Sequence, residues 1–386
     1  MDQVRIGIIG IGVMGRHHMK TFADIDGATF TAAADPNPDA RQLAADTCGV
    51  KVFDDGVKMM DSGEVDAVLI STPHYFHPPL AIAAFERGLH VLTEKPIAVT
   101  AKAAQEMIDA ADQHPELVFG AMFQMRVSPQ WREVKRLIDA GAIGRFHRVA
   151  WTVTAWFRSQ AYYDSGGWRA TWAGEGGGVL LNQCPHNLDL FQWFVGLPHR
   201  VTANLGLGKY HNIEVEDEVN ALLEFDNGAT GIWVSSTAEA PGVNRLEIVG
   251  DDATIIAEAG QPLTLLRNHQ PTLEYSRTTR QKFGAAPHDR HVITPGGKDP
   301  GHAGITRNFV NAILHGEELI APAREGIRGL ELGNAMLMSG IKNTAINIPT
   351  DRDAYDNMIR ELAENSTFQK QVVEAEETDL AKSFSR

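Results

Sequence analysis

The 386-residue sequence predicts an α/β protein of two domains, the first with a parallel sheet and the second with an open, mostly antiparallel sheet. Two patterns indicate this class. Strands alternate with helical stretches over roughly the first 125 residues, and hairpin-linked strands dominate the later part. A chain of this length also exceeds what one hydrophobic core usually supports. We therefore expect domains at residues 1–125 and 126–386.

In the first domain, short apolar runs alternate with helical stretches. Strands are predicted at Val4–Ile9, Thr29–Asp35, Val65–Thr72, His90–Glu94 and Leu117–Phe123. Helices are predicted after Gly12 and at Pro38–Cys48, Pro79–Arg87 and Thr100–Gln113. This alternation indicates right-handed βαβ units and hence a parallel sheet.

The second domain begins with a predicted helix, Pro129–Ala140, and then becomes rich in strands. These are predicted at Phe146–Trp156, Val201–Leu207, Val219–Phe225, Ala229–Ser236, Arg245–Val249 and Thr254–Ala257. Asp226-Asn227-Gly228 and Gly250-Asp251-Asp252 are typical hairpin turns, so the sheet is predicted to be antiparallel, with helices on one face. Leu266–Gly301 reads as irregular, and helices follow at Gly304–His315, Glu325–Lys342 and Arg352–Asn365.

The composition argues against several classes of partner. The formal charge of −14 is unfavourable for nucleic acids and for anionic membranes. Cys48 and Cys184 are the only cysteines, which makes a disulfide framework or a cysteine-type zinc site unexpected. The first strand begins by Val4, and the sequence has no apolar run of membrane-spanning length, so we expect a cytoplasmic protein.

Gly10-Ile11-Gly12-Val13-Met14-Gly15 is a GxGxxG sequence that ends the first strand and opens a helix. Asp35 ends the second strand, as the dinucleotide fingerprint requires. This context predicts a doubly wound Rossmann domain that binds a dinucleotide, with the pyrophosphate at the helix N-terminus. The Asp35 carboxylate would accept hydrogen bonds from the ribose hydroxyls and repel a 2′-phosphate, which favours NAD. The alternative is a tight turn in an unrelated α/β protein.

Thr93-Glu94-Lys95-Pro96 follows a later strand of the same sheet. Ligands of open parallel sheets bind at the carboxyl ends of the strands, so Lys95 would lie beside a nicotinamide ring. Its charge could polarise a substrate hydroxyl. The alternative is a surface lysine paired with Glu94.

A glycine run, Gly176-Gly177-Gly178, precedes the apolar stretch Val179–Gly196. The stretch carries Asn182, His186 and Asp189, whose spacing places them on one face of a helix, although Pro185 would kink or start that helix. A histidine there suits proton transfer from an alcohol. A buried, hydrogen-bonded histidine is the alternative.

Other segments give weaker indications. The segment Ser71-Thr72-Pro73-His74 and the nearby His77 follow a strand, so they would line the rim of the cofactor pocket. Trp168-Arg169 could contact cofactor or substrate, or be a packed tryptophan with a surface arginine. The remaining histidines of interest fit no metal template and are interpreted as loop residues: His288, His291 and His302.

Five segments together resemble the glucose–fructose oxidoreductase/inositol dehydrogenase family, called Gfo/Idh/MocA. They are GIGVMG, the AAAD strand end, STPHYFH, TEKP and GGGVLLNQCPHNLDL. Glu325–Leu337 and Asn347-Ile348-Pro349 are similar to the closing helix and tail of that family. The resemblance covers nearly the whole chain, and TEKP with the downstream HxxD element is its most specific part.

The resemblance implies a Rossmann domain, an α/β domain with an open sheet, and assembly into homo-dimers or homo-tetramers. It implies that Lys95 and His186 are the catalytic pair, with His186 as general acid/base. The family commonly has Asp where this chain has Asn182, and an amide can orient a substrate but cannot accept a proton. Trp168-Arg169 would contact the cofactor or close the site. The implied substrate contacts are Lys95, Gln124, Arg126, Asn182, His186 and Asp189.

Three functions are compatible with these features. The preferred hypothesis is NAD-dependent oxidation and reduction of a secondary hydroxyl on a sugar, cyclitol or related polyol. A second is an NAD-dependent glycoside hydrolase that oxidises a ring hydroxyl transiently, eliminates the leaving group, adds water and reduces the ketone again. A third is a non-catalytic dinucleotide sensor of redox state, which would leave Lys95 and His186 without a role.

Overall fold

The computed structural model describes residues 2–22 and 25–373, and its first sheet is a Rossmann sheet. Six strands form it: β1 (Val4–Ile9), β2 (Ala28–Ala34), β3 (Lys51–Phe53), β4 (Ala67–Ile70), β5 (His90–Thr93) and β6 (Phe119–Ala121). Their order is β3-β2-β1-β4-β5-β6, and every pairing is parallel. The order reverses between β1 and β4, which is where ligands of such sheets bind.

Helices connect these strands and cover both faces of the sheet. They are α1 (Val13–Thr21), α2 (Pro38–Cys48), α3 (Gly56–Asp61), α4 (His77–Phe85) and α5 (Ala101–Asp112). The central strand β4 is buried at every position, as expected for a parallel sheet between two helical layers. The prediction of a doubly wound parallel sheet is therefore confirmed.

The second sheet has nine strands and is open. They are β7 (Phe146–Val153), β8 (Arg200–Leu207), β9 (Glu216–Glu224), β10 (Thr230–Ser236), β11 (Asn244–Gly250), β12 (Ala253–Glu258), β13 (Leu263–Asn268), β14 (His288–Ile293) and β15 (Ile346–Asn347). The order is β14-β13-β12-β11-β7-β10-β9-β8-β15. Among the described strands of this second sheet, only β7 and β10 pair in parallel, so the prediction of a mostly antiparallel sheet is confirmed.

The remaining described helices divide between the two sheets, since some contact this sheet and others pack against the first one. They are α6 (Pro129–Asp139), α7 (Gln160–Asp164), α8 (Pro185–Val195), α9 (Thr272–Thr278), α10 (Gly301–His315), α11 (Ala323–Lys342) and α12 (Arg352–Glu364). Side chains of β9 alternate between buried and exposed, and Leu222 on its outer side is 61% exposed. The helical face therefore holds the core, and the opposite face is open. Within the described residues, no helix has the length and hydropathy needed to cross a membrane.

The prediction that Leu266–Gly301 is irregular is wrong in part. It contains the end of β13, the short helix α9 and the edge strand β14. Nearly every residue of β14 is exposed, so the strand lacks the apolar pattern that marks a half-buried strand. His288 and His291, interpreted as loop residues, lie on this strand, and His302 lies buried in α10.

The chain returns to the first sheet after completing most of the second. The amide of Ala121 in β6 donates to the carbonyl of Ala321 at 3.0 Å, and α10 and α11 then pack beside the parallel sheet. Since α11 also packs on α8 and β8, it joins the two sheets. The predicted boundary between residues 125 and 126 falls within a short helical turn, Gln124–Val127, and stays a prediction.

The side chain of Asn334 in α11 forms two hydrogen bonds at this junction. Its Oδ1 accepts from the amide of Ala101 at 3.0 Å, and its Nδ2 donates to the carbonyl of Val99 at 3.3 Å. Asn334→Leu should lower the free energy of unfolding by about 1–3 kcal/mol, because two buried main-chain groups lose their partners. Urea unfolding measures this. The exposed Asn357→Leu on α12 is the control, and equal stability of both variants would contradict the role of Asn334.

Candidate active site

The glycine loop between β1 and α1 forms a cradle at the switch point of the parallel sheet. Gly10 has φ +90°, which favours glycine. A Cβ at Gly15 would lie 2.0 Å from the carbonyl oxygen of Gly10, so the helix can approach the strand only with glycine here. At Gly12, by contrast, a Cβ would meet nothing within 4 Å, and the residue is exposed. The loop is therefore tight on its inner side and open at Gly12.

The open side of the loop has the properties of an anion site. Gly12 is the N-cap of α1, and the first turn contains no acidic residue. Free N–H groups and the helix dipole at such an end favour a phosphate. Met14 is half-buried in this turn and Ile11 is buried below it. The residues present fit the pyrophosphate of a dinucleotide.

Asp35 at the end of β2 holds the loop in shape. One carboxylate oxygen accepts from the amide of Ile11 at 2.7 Å, and the other accepts from the amide of Asn37 at 2.8 Å. Each oxygen keeps further lone pairs, so the carboxylate can still accept hydrogen bonds from ribose hydroxyls. Asp35 thus has a structural role in addition to the one predicted from sequence.

The segment after β4 forms the opposite wall of this cradle. The Ser71 hydroxyl donates to the carbonyl of Gly10 at 2.7 Å. His77 bridges the carbonyls of Thr72 and Pro96, each at 2.8 Å from a ring nitrogen. The short helical turn that follows Pro73 buries His74. The predicted rim residues therefore lie together beside the glycine loop, and His77 ties them to the segment after β5.

Glu94 is buried behind the cradle rather than paired with Lys95. Its Oε1 lies 2.7 Å from Nε2 of His18 in α1. Burial opposes ionisation, but the hydrogen bond and charge of His18 lower the pKa of Glu94 to about 2. His302 lies next to His18, with ring centroids 5.6 Å apart. Sequence reasoning missed this cluster because its members are distant in the chain.

Lys95 reaches from the end of β5 to the second domain. Its Nζ donates to the main-chain carbonyl of Asn182 at 2.7 Å. Burial is the main cause that lowers the pKa of Lys95, and the charges of Glu94 and Glu175 oppose this shift. The alternative of a surface lysine paired with Glu94 does not match this geometry.

The apolar stretch Val179–Gly196 contains two helical elements, and the second begins at Pro185. Residues Val179–Gln183 form a π-helical turn, and Pro185 occupies the first position of α8. Proline is well accommodated there because that amide has no partner within the helix. The π turn brings Asn182 beside Lys95, and α8 begins with His186 buried. Asn182 therefore lies in a separate turn, whereas His186 and Asp189 share α8.

His186 lies at the inner end of the site, next to Gln124. The two Nε2 atoms are 3.2 Å apart, and Nδ1 of His186 has no hydrogen-bond partner among the described residues. Burial, and then the charge of Lys95, lowers the pKa of His186 well below its usual value. The imidazole is therefore neutral at neutral pH and can accept a proton.

Arg126 and Asp189 form a buried ion pair. The guanidinium of Arg126 donates to both oxygens of Asp189, at 2.7 and 2.6 Å, and to Glu325 at 2.5 Å. The Arg126 and Asp189 side chains are each 1% exposed. Their charges thus satisfy one another, and the pair joins the turn after β6 to α8.

Trp168 and Arg169 lie at the rim of the site. The Trp168 ring contacts His74 edge-on, with centroids 5.6 Å apart. The Arg169 guanidinium lies over the Trp168 ring at 4.6 Å and over the Tyr162 ring at 4.7 Å. The pair thus links the loop before the glycine run to the wall of the cradle. Within the described part of the chain, no three His, Cys, Asp or Glu side chains are grouped to hold a metal.

Two glutamates near the glycine run were not predicted. Glu175 is 2% exposed and contacts Asn182, and Glu216 of β9 accepts from the amides of Gly178 and Leu180 at 2.9 and 3.1 Å. Burial raises the pKa of Glu216 to about 7. A carboxylate directly before three glycines was the available signal for Glu175, whereas nothing in the sequence marks Glu216.

The chain is similar to several proteins named as dehydrogenases. Inositol 2-dehydrogenase 4 of Saccharopolyspora erythraea is 36% identical over 37% of this chain and 43% of its own length. Levoglucosan dehydrogenase of Pseudarthrobacter phenanthrenivorans is 29% identical over 66% of this chain and 74% of its own. The WlbA dehydrogenase of Bordetella pertussis, solved with NADH and UDP-GlcNAcA, is 28% identical, with a TM-score of 0.75, over 90% of this chain and all of that one.

Gly12→Ala should weaken NADH binding by roughly tenfold or more while leaving stability unchanged within about 0.5 kcal/mol. The added methyl group meets no protein atom, but it occupies the approach to the pyrophosphate site. Fluorescence titration with NADH and thermal unfolding measure the two effects. Gly296→Ala, in an exposed loop with equal space, is the control. Unchanged affinity in Gly12→Ala would mean that the loop does not hold the pyrophosphate.

Two family models match successive parts of the chain. Residues 4–121 match an oxidoreductase family with an NAD-binding Rossmann fold. Residues 131–256 match the GFO/IDH/MocA C-terminal domain. The first match covers the parallel sheet with its glycine loop, and the second covers α6 to β12 with the Lys95 partner Asn182 and His186. The chain therefore belongs to the Gfo/Idh/MocA family of NAD-binding oxidoreductases.

Proposed function

We propose that this protein oxidises, and in reverse reduces, a secondary hydroxyl of a sugar, cyclitol or related polyol with NAD. The observation that carries the proposal is the meeting of Lys95, from the parallel sheet, with the segment of Asn182 and His186, from the second domain. A cation and a neutral base thus lie together next to the dinucleotide cradle. A base that takes the hydroxyl proton and a positive charge near the oxygen both promote oxidation of an alcohol.

Lys95 would polarise the substrate oxygen. Its ammonium has three donors, of which the Asn182 carbonyl takes one. A second donor can bind the hydroxyl oxygen and stabilise the negative charge that develops there. Partial burial strengthens this interaction because little water screens it.

His186 would accept the hydroxyl proton. The alcohol loses that proton from oxygen and a hydride from carbon, and a ketone results. NAD⁺, when bound, accepts the hydride. Because its pKa is low, His186 has a free lone pair at neutral pH. In the reverse direction the protonated imidazole returns the proton to the alkoxide oxygen.

A polyhydroxyl substrate matches the polar atoms that line this region. The buried atoms that have no hydrogen-bond partner among the described residues include Thr72 Oγ1, Gln124 Oε1 and His186 Nδ1. Buried polar atoms normally have a partner, and a ligand with several hydroxyls supplies more than one. The relatives named inositol and levoglucosan dehydrogenase support the same substrate class.

A panel of sugars, cyclitols and aryl glycosides tests the reaction. The full chain is incubated with NAD⁺, and NADH formation and aglycone release are followed together. We expect NADH growth with one class of polyol. Release of aglycone at constant NADH would favour the redox-assisted hydrolase instead. Inactivity on every compound, with binding to a partner that depends on the redox state of NAD, would favour the sensor.

Lys95→Ala and His186→Ala should each reduce kcat by about 10²–10⁴-fold, the range for loss of a group that moves or stabilises a proton. NADH affinity should be largely retained, since the glycine loop is unchanged. Steady-state kinetics and NADH titration measure this. His291→Ala, exposed on β14, is the control substitution. Full turnover in both active-site variants would end the assignment of this pair.

A further inference from the structure

Glu175 is a buried carboxylate that none of the proposed steps uses. It directly precedes the glycine run and is 2% exposed. A buried carboxylate is costly unless donors or cations surround it. The contacts that compensate this carboxylate all involve the proposed site or its immediate support.

Two donors hold the carboxylate. One oxygen accepts from the amide of Ala170 at 2.5 Å, and the other accepts from the side-chain amide of Asn182. The main-chain carbonyl of Glu175 lies 3.4 Å from Nδ1 of His74. Glu175 therefore touches both the turn that carries Asn182 and the rim of the cofactor cradle.

Charged groups from several segments face this carboxylate. Cations act on it from Lys95 after β5, from Arg169 in the preceding loop and from Lys370 near the end of the described chain. On the acidic side, its charge acts on Tyr163 of α7 and Glu216 of β9. Burial raises the pKa of Glu175, whereas Arg169, Asn182 and Lys95 oppose that shift.

The surroundings of Lys95 contain both signs of charge. Arg158 and Arg169 disfavour its protonated form, and Glu94 and Glu175 favour it. Five further titratable groups lie within its field, and burial keeps each of them neutral: His74, His77, Cys184, His186 and His302. Glu94 is hydrogen-bonded to His18. Glu175 is thus the anion that contacts the same residue, Asn182, to which Lys95 donates.

We propose that Glu175 is a positioning residue, whose carboxylate fixes the Asn182 amide and keeps the Lys95 ammonium charged and aimed at the substrate oxygen. This rests on the proposed function, because it assigns Lys95 the role of a cationic donor. The arrangement has a direct consequence at position 182. Since Nδ2 of Asn182 donates to Glu175, its Oδ1 remains free to accept from a substrate hydroxyl.

The first test measures the protonation of Lys95 without using turnover. Trace acetylation with acetic anhydride modifies only the neutral amine of Lys95. Mass spectrometry of the peptide that contains Lys95 gives the extent of acetylation at each pH, and the pH of half-maximal reactivity is the Lys95 midpoint. In full-length Glu175→Gln, the midpoint should fall by roughly one pH unit, because an anion is lost beside the ammonium. Glu214→Gln is the control, since that carboxylate accepts from the nearby amide of Trp172 and is not among the main charges that act on Lys95. An unmoved midpoint in Glu175→Gln overturns the proposal.

The second test moves the negative charge from Glu175 to the neighbouring side chain at Asn182. Asn182→Asp places a second carboxylate against Glu175 and should raise the Lys95 midpoint; this variant serves if Glu175→Gln does not fold. The double variant Glu175→Gln/Asn182→Asp keeps one carboxylate near Lys95. We expect kcat to fall roughly tenfold or more in Glu175→Gln and to recover in part in the double variant. In the pH profile of kcat, the high-pH limb should move with the Lys95 midpoint. Equal kcat values and equal high-pH limbs in Glu175→Gln and in the double variant would contradict the role of the charge.

The two measurements separate this proposal from the proposed function. A Lys95 midpoint that shifts in Glu175→Gln, together with no turnover on any polyol, would support the effect of Glu175 on Lys95 and contradict the proposed reaction. Turnover on a polyol with an unmoved midpoint would support the reaction and reject the role of Glu175.

Discussion

The junction between the two sheets is constrained by the cost of burying charge. Ionisable groups there leave water on folding, and hydrogen-bond donors or counter-charges offset that cost. Glu94 has His18, Asp189 has Arg126, and Glu216 has two main-chain amides. Each pairing also joins segments that are distant in sequence. The contacts that compensate these buried groups therefore also bring the segments of the site together.

Much of the fold could be predicted from the sequence because it follows local patterns. The glycine loop, the alternation of strands and helices and the two hairpin turns depend on neighbouring residues, and the structure confirms the architecture that they indicate. The turn Asp226-Asn227-Gly228, for example, joins β9 and β10 as predicted. The resemblance added the pairing of Lys95 with the segment of His186, which no local pattern contains.

The features that were missed depend on distance in the chain or on exposure. The contacts of Glu175 and Glu216 with the turn that precedes α8 form only on folding, which buries both side chains there. The edge strand β14 is almost wholly exposed, so pairing with β13 defines it rather than an apolar periodicity. The π turn at Val179–Gln183 has the composition of an ordinary helix, and Pro185 gave only the position at which a new helix begins.

The return of the chain to the first sheet also bears on the order in which the protein can fold during synthesis. Domains generally fold as units from the N-terminus as they leave the ribosome. Here β6 at the edge of the parallel sheet acquires its contact with Ala321 only after the strands of the second sheet up to β14 have been made. The Rossmann sheet can form early, but its outer edge remains uncovered until the ribosome has passed residue 321. An exposed strand edge can pair with other chains, so this interval is the period in which the nascent protein most needs protection from aggregation.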